Sequence, residues 1–292
     1  MRLNVNHHEI NESALLIKIE RFVLSSLDAT RQPRSFYEDF SNHLLDFYQV
    51  YNPDFSYSCL IMLFCSLLYD YDLERESSSS LYYRLNQRSF REWQNYFNQA
   101  RTDHFNELSQ HRYNESLNTD KLDNRLCELL SSYSALLVVR VDLSYVVNPD
   151  IEQVDADLEK LRRKISRSSY GDDLLLLVWA LEQGERKGYH CHVALVFDER
   201  KRIGAWSIAK AIGKFWESIT DGDGSYFNCH DRRYLKQYEN QGNIGIGVVF
   251  SNLHHQAKNM RSTLSYLAQP EKLQYLRVKT SSKMRTFGMS QR

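Results

Sequence analysis

The sequence predicts an α+β fold in which a helical N-terminal region precedes a domain built on an antiparallel sheet. Two observations carry this prediction. Apolar residues recur at helical spacing from residue 13 to about residue 130, and after Tyr133 the pattern changes to short β-branched runs that alternate with amphipathic stretches. This change divides the 292 residues into a helical region of unknown role over residues 1–130 and a sheet domain over residues 131–292.

The helical region is identified by the spacing of its apolar side chains. Leu15, Ile19 and Phe22 follow one another at intervals of three or four residues, which is typical of one face of a helix. The longest apolar run, residues 59–69, is shorter than the ~20 residues that a transmembrane helix needs. We therefore expect a buried core helix there. No group of residues in this region has the spacing of a catalytic motif.

The sheet domain is predicted to contain four strands and three helices. The predicted strands are residues 135–143, 174–182, 189–197 and 244–250, and the predicted helices are residues 150–166, 207–219 and 258–268. A glycine-bounded turn at residues 184–188 joins the second strand to the third as a hairpin. The order β-α-β-β-α-β is that of a ferredoxin-like, or split β-α-β, antiparallel sheet, which is also the RRM-like arrangement.

The charge of the chain is unevenly distributed. Lys plus Arg and Asp plus Glu both number 37, so the formal net charge is zero. Residues 251–292 nevertheless contain eight basic side chains and one acidic side chain, a net charge of plus 7. A basic tail of this kind predicts a polyanionic partner, and nucleic acid is the first candidate.

Cysteine usage and the first residues of the chain predict a cytoplasmic protein. The five cysteines are odd in number and include no C-x-x-C pair, which argues against a disulfide framework and for a reducing compartment. The N-terminal residues lack the basic and then apolar pattern of a signal peptide. We expect no association with a membrane.

The strongest local feature is a His-x-His pair on the third predicted strand. Residues two apart on a strand point to the same face, so His190 and His192 place their imidazoles side by side, where two histidines can hold one divalent metal. The alternative is a pair of strand histidines packed under a helix. Glu182 faces the pair across the hairpin and is the predicted oxygen ligand. The register across the turn is not fixed by sequence, so Glu185 and Asp142 remain alternatives.

Two histidines and one carboxylate leave open positions on an ion such as Mg²⁺ or Mn²⁺, where phosphate oxygens bind. Zinc is also compatible with these ligands. The candidate nucleophile for phosphodiester chemistry is Tyr266, on the last predicted helix. A free tyrosine has a pKa of about 10, so its attack on phosphorus needs help from the metal or from a neighbouring cation. The alternative is that Tyr266, one of 19 tyrosines, only packs.

Basic residues bracket Tyr266, and aromatic residues are interleaved with them. Cations that hold phosphates and rings that stack on bases are typical of a groove for single-stranded nucleic acid. A solvated basic tail is the alternative. The residues predicted to contact the nucleic acid are Lys258, Arg261, Lys279, Lys283 and Arg285, and the basic set also includes Lys272, Arg277 and Arg292.

Four motifs occur in order from residue 136 to the C-terminus. They are RVDL at 140–143, WALEQ at 179–183, GYHCHVAL at 188–195, and LSYLA at 264–268 followed by RTFGMS at 285–290. On these motifs the stretch resembles the inovirus-type replication-initiator family, also known as the YagK/YfjJ C-terminal domain, of filamentous phages and integrated bacterial elements. That family is similar to HUH endonucleases, and the resemblance implies a sheet domain of HUH type.

The resemblance implies a chemistry for these residues. It implies a divalent metal, Mg²⁺ or Mn²⁺, at His190 and His192 with Glu182 as third ligand. It also implies attack by Tyr266 on one DNA strand, a 5′-phosphotyrosyl intermediate and a free 3′ hydroxyl that primes rolling-circle replication. The implied partners are single-stranded DNA at a replication origin and the host replication machinery.

The sequence departs from the family pattern after the tyrosine. Relatives commonly show Tyr-x-x-Lys, whereas this chain has Gln269 at the position of the lysine. An alternative function is therefore a DNA-binding or regulatory protein that kept the fold and lost catalysis. A zinc hydrolase that uses His190 and His192 independently of Tyr266 is a third hypothesis.

Overall fold

Two compact units make up the chain. A computed structural model describes residues 10–71, 73–74, 76–269 and 274–290. Lys272 and Arg292 of the basic set lie outside the described residues. The first unit comprises Met1–His111, Asn148–Ile151 and Leu276–Met284, and the second comprises Arg112–Val147, Glu152–Tyr275 and Arg285–Arg292.

The secondary structure follows the predicted change from helices to strands. The helices are α1 (Glu12–Asp28), α2 (Phe36–Val50), α3 (Cys59–Asp70), α4 (Ser78–Leu85), α5 (Phe90–Asn98), α6 (Arg101–Ser132), α7 (Ile151–Arg167), α8 (Ser169–Asp173), α9 (Ala205–Ile219), α10 (Arg232–Glu239) and α11 (His254–Ser265), with a 3₁₀ turn at Tyr266–Ala268. The strands are β1 (Ser56–Tyr57), β2 (Ala135–Tyr145), β3 (Leu174–Gly184), β4 (Gly188–Asp198), β5 (Gly224–Asn228), β6 (Gly247–Phe250), β7 (Val278–Lys279) and β8 (Phe287–Met289).

The first unit is a helical body with an aromatic interior. The ring of Phe22 on α1 lies 5.3 Å from the rings of both Phe36 and Phe40 on α2, and 6.4 Å from that of Phe64 on α3. The predicted core helix is confirmed, because α3 covers the apolar run and buries most of it. Among the described residues, none of the helices combines the length and the apolar character needed to cross a membrane.

The second unit contains an open antiparallel sheet of six strands. Its strand order is β5-β2-β4-β3-β8, and β6 also pairs with β2. The long strands β2 and β3 flank β4 on its two sides, as the split β-α-β order predicts. The predicted fold class, a helical N-terminal region followed by an antiparallel sheet with helices, is therefore confirmed.

The fourth strand of this order differs from the sequence prediction. The sequence predicts a strand over residues 244–250, but only Gly247–Phe250 is extended, and it pairs with the beginning of β2. The end of β2 pairs instead with β5, residues Gly224–Asn228. The strand β5 has only five residues, largely polar or aromatic, so it lacks the apolar alternation by which strands are predicted.

The two faces of the sheet are covered by different helices. On one face, α9 packs on β2 and β5, and the guanidinium of Arg162 on α7 lies over the ring of Trp179. The other face packs against α6 and α11. The buried residues of that contact include Leu122, Leu126, Leu129, Leu136, Val138, Val178, Ala180, Ala194, Val196, Met260, Leu264 and Leu267. Alternate residues of β2, β3 and β4 point to this second face, because strand residues two apart share a face. The same alternation places Asp142, Glu182, His190 and His192 on it.

A glycine in α9 permits close contact with β5. A Cβ atom added at Gly213 would lie 2.3 Å from the ring of Tyr226, far inside van der Waals distance. This contact holds α9 close against the edge strand β5, which pairs with β2.

Replacing Gly213 by valine is expected to destabilise the second unit. The new side chain meets the Tyr226 ring, and overpacking of this kind costs about 1–3 kcal/mol of unfolding free energy. Urea denaturation of the full chain measures the change. The matched control is Ala211→Val, which adds a similar side chain to the same helix and should cost less. Equal losses in the two variants would contradict the packing role of Gly213.

Candidate metal centre

The register of three strands brings the predicted metal ligands together. In the pairing of β3 with β4, Glu182 stands directly opposite His190. In the pairing of β2 with β4, Asp142 stands directly opposite His192. Directly opposed residues of an antiparallel pair point to the same face, so all four side chains converge on the face that α11 covers.

Glu182, His190 and His192 form a buried group that could hold a metal ion. The Oε2 atom of Glu182 lies 3.3 Å from Nε2 of His190 and 3.6 Å from Nε2 of His192. The side chains are at most 7% exposed. The other carboxylate oxygen, Glu182 Oε1, is buried without a hydrogen-bond partner among the described residues. A buried carboxylate oxygen without a partner is costly, so the donor set fits a cation that would satisfy it.

The remaining ring nitrogens fix the orientation of both imidazoles. Nδ1 of His190 lies 3.1 Å from the carbonyl oxygen of Gly188, and Nδ1 of His192 lies 2.7 Å from Oδ1 of Asp142. Arg140 in turn holds Asp142, with Nε 3.2 Å from the same Oδ1. Metal-binding histidines are commonly oriented in this way by a carbonyl or a carboxylate on the second nitrogen. Both Nε2 atoms are thereby left to face Glu182.

The electrostatics of the group favour ionised carboxylates. Burial opposes ionisation of Asp142, but the hydrogen bond with His192 and the charge of Arg140 outweigh it and lower the pKa of Asp142 to about 2. Burial also opposes ionisation of Glu182, yet hydrogen bonds with both histidines lower its pKa to about 2. The same two carboxylates outweigh burial at His192 and raise its pKa to about 9. Positive charge is therefore stabilised at this position.

The hairpin turn contributes directly to the group. Gly184 pairs with Gly188, and Gly188 has a φ of 63°, in the left-handed region that glycine adopts without strain. A three-residue turn closed by a left-handed glycine is a common hairpin connection. The same glycine presents its carbonyl to His190, so the turn sets both the register and one imidazole orientation.

Tyr266 lies beside this group. It is the first residue of the 3₁₀ turn that follows α11, and its neighbours Leu264 and Leu267 are fully buried. The centroid of its ring lies 6.5 Å from that of His192. The Cζ atom of Arg140 lies 5.8 Å from the centroid of the same ring. The structure thus brings the predicted nucleophile, the predicted ligands and a cation to one place.

Two cavities open on this face. The tyrosine cavity has a volume of about 510 Å³ and is lined by Tyr266, Arg140 and Tyr234, among others. The histidine cavity has a volume of about 570 Å³, and its lining includes Asp142, Arg186, Lys187, His190, His192, Phe227 and Tyr234. Tyr234 lines both cavities, so they adjoin each other along this side chain.

Comparison with known proteins identifies the family of the chain. A family model of the YagK/YfjJ C-terminal domain matches residues 96–290. The chain belongs to the YagK/YfjJ C-terminal domain family. The matched range contains the six-stranded sheet, the Glu182, His190 and His192 group, and Tyr266. No curated protein and no solved structure gives a significant match.

The basic residues predicted to contact DNA are divided between the two units of this YagK/YfjJ protein. Lys258 and Arg285 are exposed residues of the second unit, whereas Lys279 and Lys283 belong to the first. Arg261 makes two hydrogen bonds of 2.6 Å to the carboxylate of Asp123. The structure therefore gathers only part of the predicted basic set into the unit that contains Tyr266.

Arg277 of the same tail has a structural position in the first unit. Its side chain is 3% exposed, and its Nη2 atom lies 2.6 Å from Oε1 of Glu20. A buried arginine in an ion pair cannot contact a phosphate without giving up its carboxylate partner. The charge count of the tail thus overstates the positive charge that reaches its surface.

Several residues around the site were not predicted from the sequence. Arg186 and Lys187 stand in the hairpin turn next to the His-x-His pair, and their place in the turn was an available signal. Phe227 and Tyr234 had none, because β5 and α10 were not predicted. His230 has a backbone role: burial lowers its pKa to about 4, and its Nε2 accepts a hydrogen bond of 3.0 Å from the amide of Arg140.

Removing one carboxylate is expected to weaken metal binding. Glu182→Gln takes a charged ligand from the group, and Asp142→Asn removes the carboxylate that orients His192. Loss of an outer partner of this kind typically weakens metal affinity by about 10- to 100-fold, and loss of the ligand should cost at least as much. Isothermal titration of the full chain with Mn²⁺ measures both changes.

The matched control is Glu185→Gln, which removes a carboxylate in the adjoining turn, outside the group. It should bind Mn²⁺ as the wild type does. Wild-type affinity in Glu182→Gln, or an equal loss in Glu185→Gln, would contradict the assignment of Glu182.

Proposed function

We propose that this protein is a metal-dependent enzyme that nicks one strand of DNA and rejoins it through a 5′-phosphotyrosyl intermediate. The observation that carries the proposal is the position of the Tyr266 ring, 6.5 Å from the His192 ring, at the edge of a buried Glu-His-His group. A tyrosine next to a group suited to a divalent cation combines a nucleophile with a site that can polarise a phosphodiester.

The proposed biological role is initiation of rolling-circle replication of a filamentous phage or an integrated mobile element. It rests on the similarity of the four ordered motifs to inovirus-type replication initiators and to HUH endonucleases. The proposed partners are single-stranded DNA at a replication origin and the host replication machinery, which extends the free 3′ hydroxyl. The proposed location is the cytoplasm, and five free cysteines are compatible with its reducing conditions.

Glu182, His190 and His192 are the residues that would hold the ion, for which we propose Mg²⁺ or Mn²⁺. When bound, such an ion polarises the scissile phosphate and neutralises the charge that develops on it. The protein's own contribution is a fixed geometry. Asp142 and the carbonyl of Gly188 hold the two imidazoles, and the buried position of Glu182 keeps its carboxylate directed at them.

Arg140 is proposed to assist Tyr266. A phenol with a pKa of about 10 becomes a better nucleophile when a cation stabilises its phenolate. The guanidinium of Arg140 lies 5.8 Å from the Tyr266 ring centroid, and Asp142 anchors it. The Gln269 side chain instead donates to Oγ1 of Thr119 at 3.2 Å. Arg140 therefore offers the positive charge that lysine supplies in the Tyr-x-x-Lys pattern of relatives.

The proposed step balances as a transesterification. The phenol oxygen of Tyr266 forms a bond to phosphorus while the bond between phosphorus and the 3′ oxygen breaks. The phenol loses one proton, and the departing 3′ oxygen gains one to become the 3′ hydroxyl, so no oxidant or further reactant is needed. Rejoining reverses the step with a 3′ hydroxyl as the attacking group, which conserves the phosphodiester energy in the tyrosyl ester.

The second candidate function is a DNA-binding or regulatory protein that retains the fold without catalysis. The observation that favours it is the neutral Gln269, whose amide is hydrogen-bonded to Thr119. Salt-sensitive DNA binding without cleavage is the behaviour that this alternative predicts.

Tyr266→Phe is expected to abolish the covalent adduct, because it removes the attacking oxygen and leaves the ring. The measurement is denaturing gel analysis of the full chain after incubation with labelled single-stranded origin DNA and Mn²⁺. Tyr238→Phe, which removes a hydroxyl from another tyrosine of the same cavity, is the matched control and should keep the adduct. Chelation of the metal should stop the reaction in the wild type and in Tyr238→Phe.

The outcome of this assay separates the three functions. An adduct that persists in Tyr266→Phe would overturn the proposed nucleophile. Cleavage without any adduct, unchanged in Tyr266→Phe, would indicate a metal-dependent hydrolase. Binding without cleavage in the wild type would indicate the regulatory protein.

Arg140→Gln is expected to slow adduct formation by roughly 10²- to 10³-fold, the usual loss when one charge-stabilising group is removed. Arg140→Lys should retain more activity because the charge is kept. Gln269→Lys in the Arg140→Gln background should restore part of the rate, because it returns a cation near Tyr266. Adduct formation that appears only when Gln269→Lys is introduced into the wild type would instead favour loss of catalysis during evolution.

A further inference from the structure

The histidine cavity has two walls that the candidate metal group does not explain. One wall is aromatic and consists of Phe227 on β5 and Tyr234 on α10. The other is cationic and consists of Arg186 and Lys187 in the β3–β4 turn. None of these four side chains belongs to the Glu-His-His group, yet all of them line the same space as His190 and His192.

The aromatic wall combines the exposed ring of Phe227, at the edge of the sheet, with the half-buried ring of Tyr234. Phe227 stands directly opposite Asp142 in the pairing of β5 with β2, so its ring is on the face that bears the metal group. The residue is 46% exposed although it is fully apolar. Its ring contacts that of Tyr234 at 5.0 Å, and Tyr234 contacts Tyr238 at 5.0 Å. The three rings form a contiguous surface beside both cavities.

The cationic wall is free to bind an anion. Arg186 and Lys187 are both exposed, and within the part of the chain that the structure describes neither side chain makes an ion pair or a hydrogen bond. Their position in the tight turn that closes at Gly188 fixes their backbone next to His190. Other basic side chains of this unit, such as Arg261, are already paired with carboxylates.

We propose that the histidine cavity is the nucleotide-binding subsite for a single strand of DNA. A base stacks on Phe227 and Tyr234, and Arg186 and Lys187 hold the backbone phosphates on the opposite side of the cavity. This inference rests on the proposed function and specifies where its substrate lies. The cavity volume of about 570 Å³ is within the usual range for ligand sites, roughly 300–1,000 Å³.

The chemistry of the two walls selects a single strand. Aromatic rings of a protein stack on a base only when the face of that base is available. In a duplex the faces of the bases are covered by neighbouring base pairs. Unpaired cations add an attraction for phosphates that does not depend on sequence. An apolar protein surface would leave the charges of Arg186 and Lys187 without partners. A single strand of nucleic acid offers phosphates to these cations and base faces to the aromatic rings, so it contacts both walls.

The test measures equilibrium binding separately from catalysis. The full chain is prepared in a Tyr266→Phe background, so that no covalent adduct forms, and is titrated in the presence of Mn²⁺ against a short fluorescent single-stranded oligonucleotide of mixed sequence. Fluorescence anisotropy at several salt concentrations gives both the affinity and its salt dependence. A duplex of the same sequence is the competitor and should bind more weakly.

Phe227→Ala should weaken binding by about 5- to 100-fold, the effect of losing one base-stacking ring, with little change in salt dependence. Phe227→Trp should retain the affinity. The matched control is Phe250→Ala, because Phe250 is 45% exposed on β6, which pairs with the other end of β2. It should bind as the parent protein does.

The double variant Arg186→Ala/Lys187→Ala should lower the slope of log affinity against log salt by about 1.4, or about 0.7 for each lost phosphate contact. Its control is Arg200→Ala/Lys201→Ala, which removes the Arg-Lys pair that follows β4 rather than the one that precedes it. The control should leave the slope unchanged.

The outcomes distinguish this inference from the proposed function. The subsite is supported if Phe227→Ala lowers the affinity for the single strand and the Arg186 and Lys187 variant lowers its salt dependence, while both controls bind as the parent protein does. If those variants bind as tightly as their controls while the protein with Tyr266 intact forms adducts, the subsite is overturned and the proposed function stands. A protein that neither binds the single strand nor forms an adduct overturns both, and equal affinity for duplex overturns the choice of a single strand.

Discussion

The site depends on the register of β4 with its two neighbouring strands. Glu182 stands opposite His190 and Asp142 stands opposite His192, so one carboxylate reaches the ligand nitrogens and another holds a ring in place. A shift of one residue would turn each displaced side chain to the other face of the sheet. Gly188 protects against such a shift, because its positive φ closes the hairpin at one position.

An apolar core on the same face of the sheet holds the polar group in position. The face that bears the carboxylates and histidines is filled by aliphatic side chains over the rest of its length, where α6 and α11 pack. That packing fixes the end of α11 and hence the position of Tyr266. Burial alone would favour the neutral forms of Asp142 and Glu182. Contacts of Asp142 with His192 and Arg140, and of Glu182 with both histidines, keep the two carboxylates ionised.

The features that depend on residues close in sequence could be predicted. Alternation along a strand predicted that His190 and His192 share a face, and apolar periodicity predicted the long strands and the change of fold class. Glu182 remained one of three choices, because the pairing across a turn is set by backbone geometry that residue types do not encode uniquely. The structure brings Glu182 to both histidines and gives Asp142 a different place, on the far side of His192.

Features that depend on contacts between residues far apart in sequence could not be predicted. The strand that carries Phe227 is short and polar, and its place is set by packing on α9 and pairing with β2. Charge counting could not foresee that Arg277 is buried with Glu20, more than 250 residues away in sequence. The central claim, that Glu182, His190 and His192 hold one divalent cation, is tested most directly by anomalous diffraction from crystals containing Mn²⁺. The account predicts one strong peak roughly 2.0–2.4 Å from the Nε2 atoms of both histidines and from the Glu182 carboxylate. Anomalous density only elsewhere in the protein would contradict it.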